Sequence, residues 1–355
     1  MLLASIVGAR PEFVQLAPVS CALRQRHKEI IIHTGQHYDY CMSAQFFDEL
    51  AIPSPDYHLE CGSGSHGTQT ARILEAIEQV LMGVCPDWVV VFGDTNSTLA
   101  AALAAAKLHI PIAHVEAGLR SFNRMMPEEI NRIVTDHLSD RLFCPTETAC
   151  RQAYSEGITQ GVEVVGDVMY DILLNVLPML EERAQTLLPA LQIVSGTYVL
   201  VTIHRPVNTD DPMAMQNIAF ALNKLEMPVI FPVHPRTREH LREYAISWGK
   251  HIQLIEPVGY LDMLTLEQSA YRILTDSGGV QKQAFLLGVP CVTLREETEW
   301  TETVEAGWNV LVGSRIQAIL EAVNLPKPQP ALKNPFGKGD AAKRIAHSLS
   351  ESDHI

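Results

Sequence analysis

Residues 88–118 read WVVVFGDTNSTLAAALAAAKLHIPIAHVEAG, and this stretch decides the fold class. The apolar run at 88–92 has the length and the β-branched, aromatic composition of a buried strand. An Ala-rich helical segment follows at 97–107, and 112–115 is a second apolar run. Strand, helix and strand in this order form a βαβ unit, in which the two strands are parallel. The stretch therefore predicts a parallel sheet covered by helices.

The same alternation extends over most of the chain. In the first half it predicts strands at 2–7, 30–33, 88–92, 112–115 and 142–144, with helices at 12–26, 40–50, 68–82, 97–107, 127–138 and 147–156. It then begins again, with strands at 198–203, 229–233, 253–255, 271–275 and 291–294, and helices at 212–225, 236–247, 261–269, 279–287 and 316–323. We therefore expect two doubly wound α/β domains, which a length of 355 residues accommodates.

The expected boundaries place the first domain at 1–168 and the second at 169–335, with a hinge region near 166–170. A Pro-rich stretch at 326–335 precedes a final helix at 341–349. We assign the segment 336–355 to neither domain, because the sequence does not indicate where its helix docks.

The composition excludes several classes of protein. A net charge of −14 repels nucleic-acid backbones and anionic lipid headgroups, so we expect no nucleic-acid partner. The seven cysteines are scattered without a CxxC pair, which favours reduced thiols in a cytoplasmic protein. Neither HExxH nor clustered Cys and His residues are present, so no metal site is expected. No apolar run is long enough to span or cross a membrane.

Polar residues follow the predicted strands of the first domain, where ligands gather in a doubly wound sheet. Arg10 stands at a helix start whose N–H groups attract anions, so it is either a phosphate ligand or a surface arginine. Asp94 and Glu116 each follow a strand, and capping of the next helix is the alternative role for Asp94. Glu128 lies in an acidic first helical turn. Three such carboxylates exceed what the fold requires and suit acid–base catalysis.

The second domain repeats this arrangement with basic residues and glycines. His204 follows the strand at 198–203, and His234 follows the strand at 229–233. After the strand at 271–275, Ser277, Gly278 and Gly279 open a helix, where consecutive backbone N–H groups suit a diphosphate. The alternative interpretation of this glycine pair is a flexible turn.

Together these motifs resemble those of the non-hydrolysing UDP-N-acetylglucosamine 2-epimerases. The matching stretches, in order from Ile6 to about Val312, are GARPEF, GDTNST, HVEAGLRS, PEEINR, HRP, PVHPRTR, TDSGGVQ and PCVTLREETEW. The resemblance implies two Rossmann-like domains in the glycosyltransferase-B arrangement. It implies that the second domain mainly holds UDP and that the sugar faces the first across a cleft. It implies no cofactor.

The resemblance also implies roles for individual residues. The catalytic set would be Asp94, Glu116, Glu128 and His204. The substrate and UDP ligands would be Arg10, Arg132, His234, Ser277, Gly278, Gly279 and Gln283. Two residues match an effector site found in some family members, namely Gln36 and His37. The chain departs from the family pattern at Gln15, where a lysine is usual, at Gln283, where a glutamate is typical, and at Met263, where an aromatic residue is common.

The implied reaction interconverts UDP-GlcNAc and UDP-ManNAc by anti elimination of UDP to 2-acetamidoglucal and re-addition. The resemblance further implies an isomerase that acts as a cytoplasmic homodimer in polysaccharide biosynthesis. Parts of SFNRMMPEEINR, GSGSHGTQTA and REETEW look closer to the UDP-2,3-diacetamido-2,3-dideoxy-glucuronate 2-epimerases, which is the alternative. A glycosyltransferase, a hydrolysing epimerase and a non-catalytic UDP-sugar sensor remain as other interpretations.

Overall fold

The computed structural model describes residues 1–36, 46–329 and 333–351 and separates into two compact units. Unit 1 comprises Met1–Asn175 and Asn334–Ile355, whereas unit 2 comprises Val176–Lys333. The boundary between the units, after Asn175, lies inside the helix Val168–Ala190, whereas the sequence predicts it after residue 168. The C-terminal segment belongs to unit 1.

Unit 1 is built on a seven-stranded sheet whose strand pairs are all parallel. The order β3-β2-β1-β4-β5-β6-β7 is that of a doubly wound fold, with the switch point between β1 and β4. The central strands consist mainly of buried apolar residues because helices cover both faces of such a sheet. The strands are β1 (Leu2–Val7), β2 (Lys28–His33), β3 (Tyr57–His58), β4 (Trp88–Phe92), β5 (Ile112–Val115), β6 (Arg141–Cys144) and β7 (Val162–Val164).

Helices alternate with these strands. Helix α3 begins where the Thr95 hydroxyl accepts hydrogen bonds from the amides of Ser97 and Thr98, which caps the helix. Its alanines are buried between α2 and the sheet, since their small side chains allow close packing. The helices are α1 (Arg10–Leu23), α2 (His66–Val84), α3 (Asn96–Lys107), α4 (Pro127–Leu138), α5 (Glu147–Ser155) and α6 (Val168–Ala190).

Unit 2 repeats the design with a six-stranded parallel sheet in the order β10-β9-β8-β11-β12-β13. Its switch point lies between β8 and β11. The strands are β8 (Val199–Thr202), β9 (Val229–Pro232), β10 (Ile252–Ile255), β11 (Arg272–Thr275), β12 (Cys291–Thr293) and β13 (Asn309–Leu311). The helices are α7 (Pro206–Thr209), α8 (Pro212–Asn223), α9 (Pro235–Glu243), α10 (Tyr260–Ser269), α11 (Gly278–Leu287), α12 (Thr301–Glu305) and α13 (Ile316–Val323).

The last helix, α14 (Ala341–Glu351), docks within unit 1 against α1. The Asp171 carboxylate accepts hydrogen bonds from the amides of Ala341 and Ala342 at 3.2 and 2.7 Å, and so caps the start of α14. A buried face that includes Ile345 and Leu349 completes the contact. The sequence does not reveal this docking because Asp171 is distant along the chain.

The predicted class, two doubly wound α/β domains, is confirmed. The structure adds three short strands that sequence patterns do not mark, β3, β7 and β13. Helix α6 begins at Val168, inside the segment 166–170 where the sequence predicts a hinge region. Of the segment 40–50, predicted as a helix, residues 40–45 lie outside the described ranges.

Candidate active site

Four of the predicted site residues follow strands that flank the two switch points. In unit 1, Arg10 follows β1 and Asp94 follows β4. In unit 2, His204 follows β8 and Ser277 follows β11. Because ligands of doubly wound sheets bind outside the carboxyl ends of the strands at a switch point, each unit has its polar residues at the position where this fold binds ligands.

Asp94 is paired with a cation from the next helix. Its carboxylate accepts a hydrogen bond from the buried guanidinium of Arg132 on α4, and its backbone carbonyl accepts one from Asn131 at 2.9 Å. The Asp94 side chain remains partly exposed. The capping role considered for Asp94 is wrong, because the Thr95 hydroxyl caps α3. Arg132 therefore orients a carboxylate that is still accessible.

Glu116 has an unusual backbone conformation directly after β5. Its φ of 70° lies in the left-handed region, which costs a residue with a side chain about 1–3 kcal/mol. A Cβ built on Gly93 would lie 4.0 Å from a Glu116 carboxylate oxygen and 3.6 Å from the side-chain oxygen of Gln15. The Glu116 carboxylate and the Gln15 amide therefore lie close to Gly93, the residue immediately before Asp94.

Glu128 and its neighbour Glu129 have different surroundings in the first turn of α4. The buried Glu129 carboxylate accepts hydrogen bonds from the amides of Ser121 and Phe122 and from the Ser121 hydroxyl, which fixes the preceding loop. The Glu128 side chain is half-buried. It lies four residues before Arg132, and residues at this spacing share one helix face. Glu128 is therefore on the side of α4 that meets Asp94.

Glu12 is a residue of this site that the sequence did not single out. It is 1% exposed, and its carboxylate accepts hydrogen bonds from the amides of Gly8 and Ala9 and from the hydroxyls of Thr95 and Thr98. Burial raises the pKa of Glu12 to about 7, although the four hydrogen bonds lower it. Glu12 joins the loop of Arg10 to the loop of Asp94. A glutamate at the third helical position was its only sequence signal.

The two residues matched to an effector site have separate outcomes. The side-chain oxygen of Gln36 accepts hydrogen bonds from the Ser97 amide at 2.9 Å and from the Ser97 hydroxyl at 2.7 Å. His37 lies outside the described residues. Gln36 is therefore bonded to the first turn of α3, two residues from Thr95.

The side chain of Arg10 contacts an aromatic ring, since its guanidinium lies 5.9 Å from the centre of the Phe46 ring.

In unit 2, the buried carboxylate of Asp276 organises the His204 loop. It accepts hydrogen bonds from the amides of His204 and Arg205 at 3.1 and 3.0 Å, and from the Asn208 side chain at 3.0 Å. The His204 ring nitrogen Nδ1 is 3.5 Å from Asp276, while 47% of the histidine side chain is exposed. His234, after β9, is also exposed. Asp276 belongs to the motif TDSGGVQ, and the structure shows that it fixes the loop that carries His204.

The glycine pair after β11 is tightly packed on one side and open on the other. A Cβ on Gly278 would lie 2.2 Å from a Glu299 carboxylate oxygen, whereas a Cβ on Gly279 would meet only the Ser277 hydroxyl at 3.9 Å. Ser277 occupies the N-cap of α11 but its side chain makes no capping hydrogen bond. The start of α11 therefore offers an open glycine and a hydroxyl beside the positive end of a helix, which suits an anion.

Two buried residues farther along α11 contact aromatic side chains. The Gln283 amide lies 3.5 Å from the Tyr260 hydroxyl. Lys282, which the sequence analysis passed over, is fully buried, and its ammonium lies 4.1 Å from the centre of the Trp300 ring. A cation–π contact of this kind stabilises a buried ammonium group. Lys282 therefore adds a positive charge to the helix that begins at Gly278.

Within residues 1–36, 46–329 and 333–351, no group of three or more His, Cys, Asp and Glu residues has the geometry of a metal site. No helix in the same ranges has the length and apolar character needed to cross a membrane.

Comparisons with known proteins show which family the chain belongs to. A sequence profile of the UDP-N-acetylglucosamine 2-epimerase family matches residues 21–350. A UDP-N-acetylglucosamine 2-epimerase homolog of Methanococcus maripaludis is 54% identical over 354 residues, which cover 98% of this chain and 99% of that protein. A UDP-2,3-diacetamido-2,3-dideoxy-D-glucuronate 2-epimerase of Pseudomonas aeruginosa is 47% identical over 361 residues, covering 99% and 100%.

A solved structure is similar over the same length. The crystal structure of UDP-GlcNAc 2-epimerase from Methanocaldococcus jannaschii, in complex with UDP-GlcNAc and UDP, superposes with a TM-score of 0.93 at 45% identity. The match covers 99% of this chain and 100% of that one. The glycosyltransferase-B type of α/β fold expected from the sequence is confirmed, and so is the expectation of an isomerase. The chain belongs to the UDP-N-acetylglucosamine 2-epimerase family.

Proposed function

We propose that this enzyme is a non-hydrolysing UDP-sugar 2-epimerase that interconverts UDP-GlcNAc and UDP-ManNAc. The observation that carries the proposal is the set of carboxylates at the carboxyl edge of the unit 1 sheet, where Arg132 orients Asp94 and Gly93 brings Glu116 alongside. Inverting a carbon that bears a weakly acidic hydrogen requires a base and an acid, and carboxylates in partly buried surroundings can serve as either.

The proposed reaction begins with elimination. A carboxylate of unit 1 takes the C2 proton while the C1–O bond breaks, and UDP leaves with the electrons of that bond. The electrons of the C2–H bond form the C1–C2 double bond of 2-acetamidoglucal. Positive charge develops at C1 as UDP departs, which makes the C2 proton more acidic, provided that the leaving diphosphate is stabilised.

The second half of the reaction reverses the first on the other face of C2. A diphosphate oxygen of UDP forms the new bond to C1, and an acid delivers a proton to C2. The two epimers present this hydrogen on opposite faces, so more than one of Asp94, Glu116 and Glu128 is needed. We assign stabilisation of the UDP group to unit 2, through His204 and the backbone N–H groups at the start of α11, where Gly279 is open.

A second candidate substrate is UDP-2,3-diacetamido-2,3-dideoxy-glucuronate. It is supported by the Pseudomonas aeruginosa relative, which is 47% identical over 99% of this chain. The two sugars differ at C3 and C6 and share the C1–C2 bond at which the chemistry occurs. The same carboxylates would therefore serve both reactions, and substrate choice would depend on contacts to the outer part of the ring.

Proton NMR of the purified enzyme with each UDP-sugar tests the proposal. We expect UDP-GlcNAc to approach an equilibrium mixture with UDP-ManNAc without accumulation of free sugar. Turnover of the diacetamido-glucuronate substrate alone would favour the second candidate. Release of free sugar and UDP would indicate a hydrolysing epimerase, and transfer of the sugar to an acceptor would overturn the proposal in favour of a glycosyltransferase.

Three further features are part of the proposal: a homodimer, a cytoplasmic location and a role in polysaccharide biosynthesis. The dimer is supported by large apolar side chains that are exposed in unit 1, among them Phe122 at 75% and Met125 at 90%. Light scattering coupled to size-exclusion chromatography measures the oligomeric state, and a monomer at micromolar concentration would contradict this part of the proposal.

A further inference from the structure

His114 is a fully buried histidine on β5 to which neither the sequence analysis nor the proposed reaction assigns a role. Its Nδ1 lies 2.7 Å from a carboxylate oxygen of Asp136 on α4. Its Nε2 lies 2.7 Å from the backbone carbonyl oxygen of Gly93. Both ring nitrogens therefore have a partner at short hydrogen-bond distance, and both partners are oxygens.

The partners determine the protonation state of the ring. A backbone carbonyl can only accept, so Nε2 donates to Gly93. Asp136 is fully buried, and its carboxylate accepts hydrogen bonds from the Arg120 guanidinium at 2.6 Å and from the Gly118 amide at 3.1 Å, which favour the ionised form independently of His114. Asp136 is thus ionised and also accepts only. Each ring nitrogen of His114 must then donate, which makes the side chain an imidazolium ion.

The charges around His114 balance when the ring is protonated. Arg120 donates to the second oxygen of Asp136 at 2.6 Å and makes two hydrogen bonds of 2.7 Å to Glu156. Two cations and two carboxylates then form a chain without net charge. Glu156 is exposed to solvent, whereas His114, Asp136 and Arg120 are buried, so the protonation of His114 follows from the two acceptors at its ring nitrogens.

The same ion pair touches both loops that carry the proposed catalytic carboxylates. His114 donates a hydrogen bond to the carbonyl oxygen of Gly93, which immediately precedes Asp94 and has a φ of 59°. The Asp136 carboxylate accepts a hydrogen bond of 3.1 Å from the amide of Gly118, two residues after the strained Glu116. Strained backbone persists where surrounding contacts over-determine it, and the His114–Asp136 pair supplies contacts at both loops.

We propose that His114 is a positioning residue that, as an imidazolium paired with Asp136, fixes the loops of Asp94 and Glu116 in the geometry that the epimerisation requires. The kinetic part of this inference rests on the proposed function, whereas the protonation state does not. His114 has no direct contact with substrate in this role, so its loss impairs turnover through the two loops.

NMR of protein labelled with ¹⁵N in the histidine rings tests the protonation state. At about pH 8 an unperturbed imidazole, with a pKa of about 6.5, is neutral and carries one N–H. We expect His114, assigned by its loss in His114→Asn, to show two slowly exchanging N–H signals in the wild-type enzyme. We expect Asp136→Asn, which removes the negative partner, to leave one. A single N–H in the wild-type ring would overturn the inference.

Kinetics of His114→Asn test the positioning role. We expect kcat to fall about a hundredfold, the scale of a displacement of about 1 Å at a catalytic group, with KM changed by less than about threefold. UDP affinity should be unchanged, because the groups assigned to stabilise the UDP group, His204 and the start of α11, lie in unit 2. The matched control is His137→Gln on the exposed face of α4, which should retain wild-type kcat.

The outcomes separate positioning from a purely structural role. A folded His114→Asn variant with wild-type kcat would overturn the inference, and so would a loss of activity that matches the loss of folded protein. If the variant does not fold, the His114 signals are assigned by their change in Asp136→Asn, and the kinetics of Asp136→Asn decide the positioning role, with a kcat loss at unchanged KM expected. If the wild-type enzyme epimerises no UDP-sugar, the proposed function fails while the NMR result still stands.

Discussion

The carboxylate of Glu12 accepts a 2.5 Å hydrogen bond from the hydroxyl of Thr95, the residue that follows Asp94. This bond crosses the switch point, since Glu12 follows β1 and Thr95 follows β4. The second carboxylate oxygen binds the amides of Gly8 and Ala9. One buried acid thus sets the distance between the Arg10 loop and the Asp94 loop, and its ionisation affects the stability of unit 1.

Glu12→Gln is expected to remove a pH dependence of stability. The folded pKa of about 7 lies above the ordinary value of 4.5, so the folded state binds more protons than the unfolded state between these values. Its contribution is therefore complete below about pH 4.5 and is lost as pH rises to about 7, a decrease of about 3 kcal/mol. Glutamine keeps an acceptor for the amides and does not titrate. The free energy of unfolding, measured by urea denaturation between about pH 4.5 and 7, should change less with pH in the variant than in the wild type. An equal pH dependence in both proteins would contradict the raised pKa of Glu12.

Neutral substitutions of the three proposed catalytic carboxylates form the second prediction. Asp94→Asn, Glu116→Gln and Glu128→Gln should each lower turnover by at least about a hundredfold, the scale for loss of a positioned acid or base. UDP affinity measured by calorimetry should remain close to wild type. Glu321→Gln, at an exposed position of α13, is the matched control. Near-normal turnover in all three variants would show that the carboxylates have been assigned incorrectly.

The sequence predicted the features that depend on local pattern. The apolar run Trp88–Phe92 and the helix Pro127–Leu138 have the bounds that the sequence predicts, because strand length and the Pro-initiated helix start are encoded nearby. The strand ends that carry Asp94 and His204 followed from the same reasoning. The two-residue strand Tyr57–His58 has too few residues to show a period.

The buried polar partners of the site could not be predicted in this way. Glu12, Asp136 and Asp276 are each bonded to residues that are distant along the chain, apart from the neighbours that Glu12 contacts. In the sequence each is an ordinary acid near a helix or a turn. Only the packing of neighbouring strands shows that they hold the loops on which the candidate catalytic residues stand.

Asp276→Asn is expected to reduce activity by disturbing the His204 loop. Asparagine places an N–H₂ group opposite the donors of His204, Arg205 or Asn208, and an unsatisfied buried donor costs about 1–3 kcal/mol. We expect a measurable decrease in melting temperature together with weaker UDP binding by calorimetry. Asp210→Asn, with a carboxylate that is 45% exposed, is the control and should change neither. Wild-type UDP affinity in Asp276→Asn would argue against a role for this loop in binding.

The two glycines of α11 are expected to differ in their tolerance of alanine. In Gly278→Ala the new methyl group would meet the buried Glu299 carboxylate, which Arg295 holds at 3.0 Å, so neighbouring groups must shift at a cost of about 1–3 kcal/mol. Gly279→Ala has no such neighbour and should retain wild-type stability. Thermal unfolding measures this difference. If UDP lies against the open side, Gly279→Ala should weaken UDP binding without destabilising the fold, and unchanged affinity would place the diphosphate elsewhere.

The last prediction concerns the path of the C2 hydrogen. Elimination gives this proton to a carboxylate, and the acid on the opposite face returns a proton that has exchanged with solvent. In heavy water, the epimer formed must therefore carry deuterium at C2, and traces of UDP and the glycal should appear on long incubation. A redox route that removes hydride from C2 to NAD, with loss of the amide proton to give an N-acylimine, would return the same hydride to C2, retain protium and depend on a nicotinamide. NMR of the C2 position distinguishes these routes, and Glu116→Gln supplies the control because exchange and epimerisation should fall together. Epimer without deuterium, or activity that requires added NAD, would overturn the elimination mechanism while leaving the family assignment and the fold unchanged.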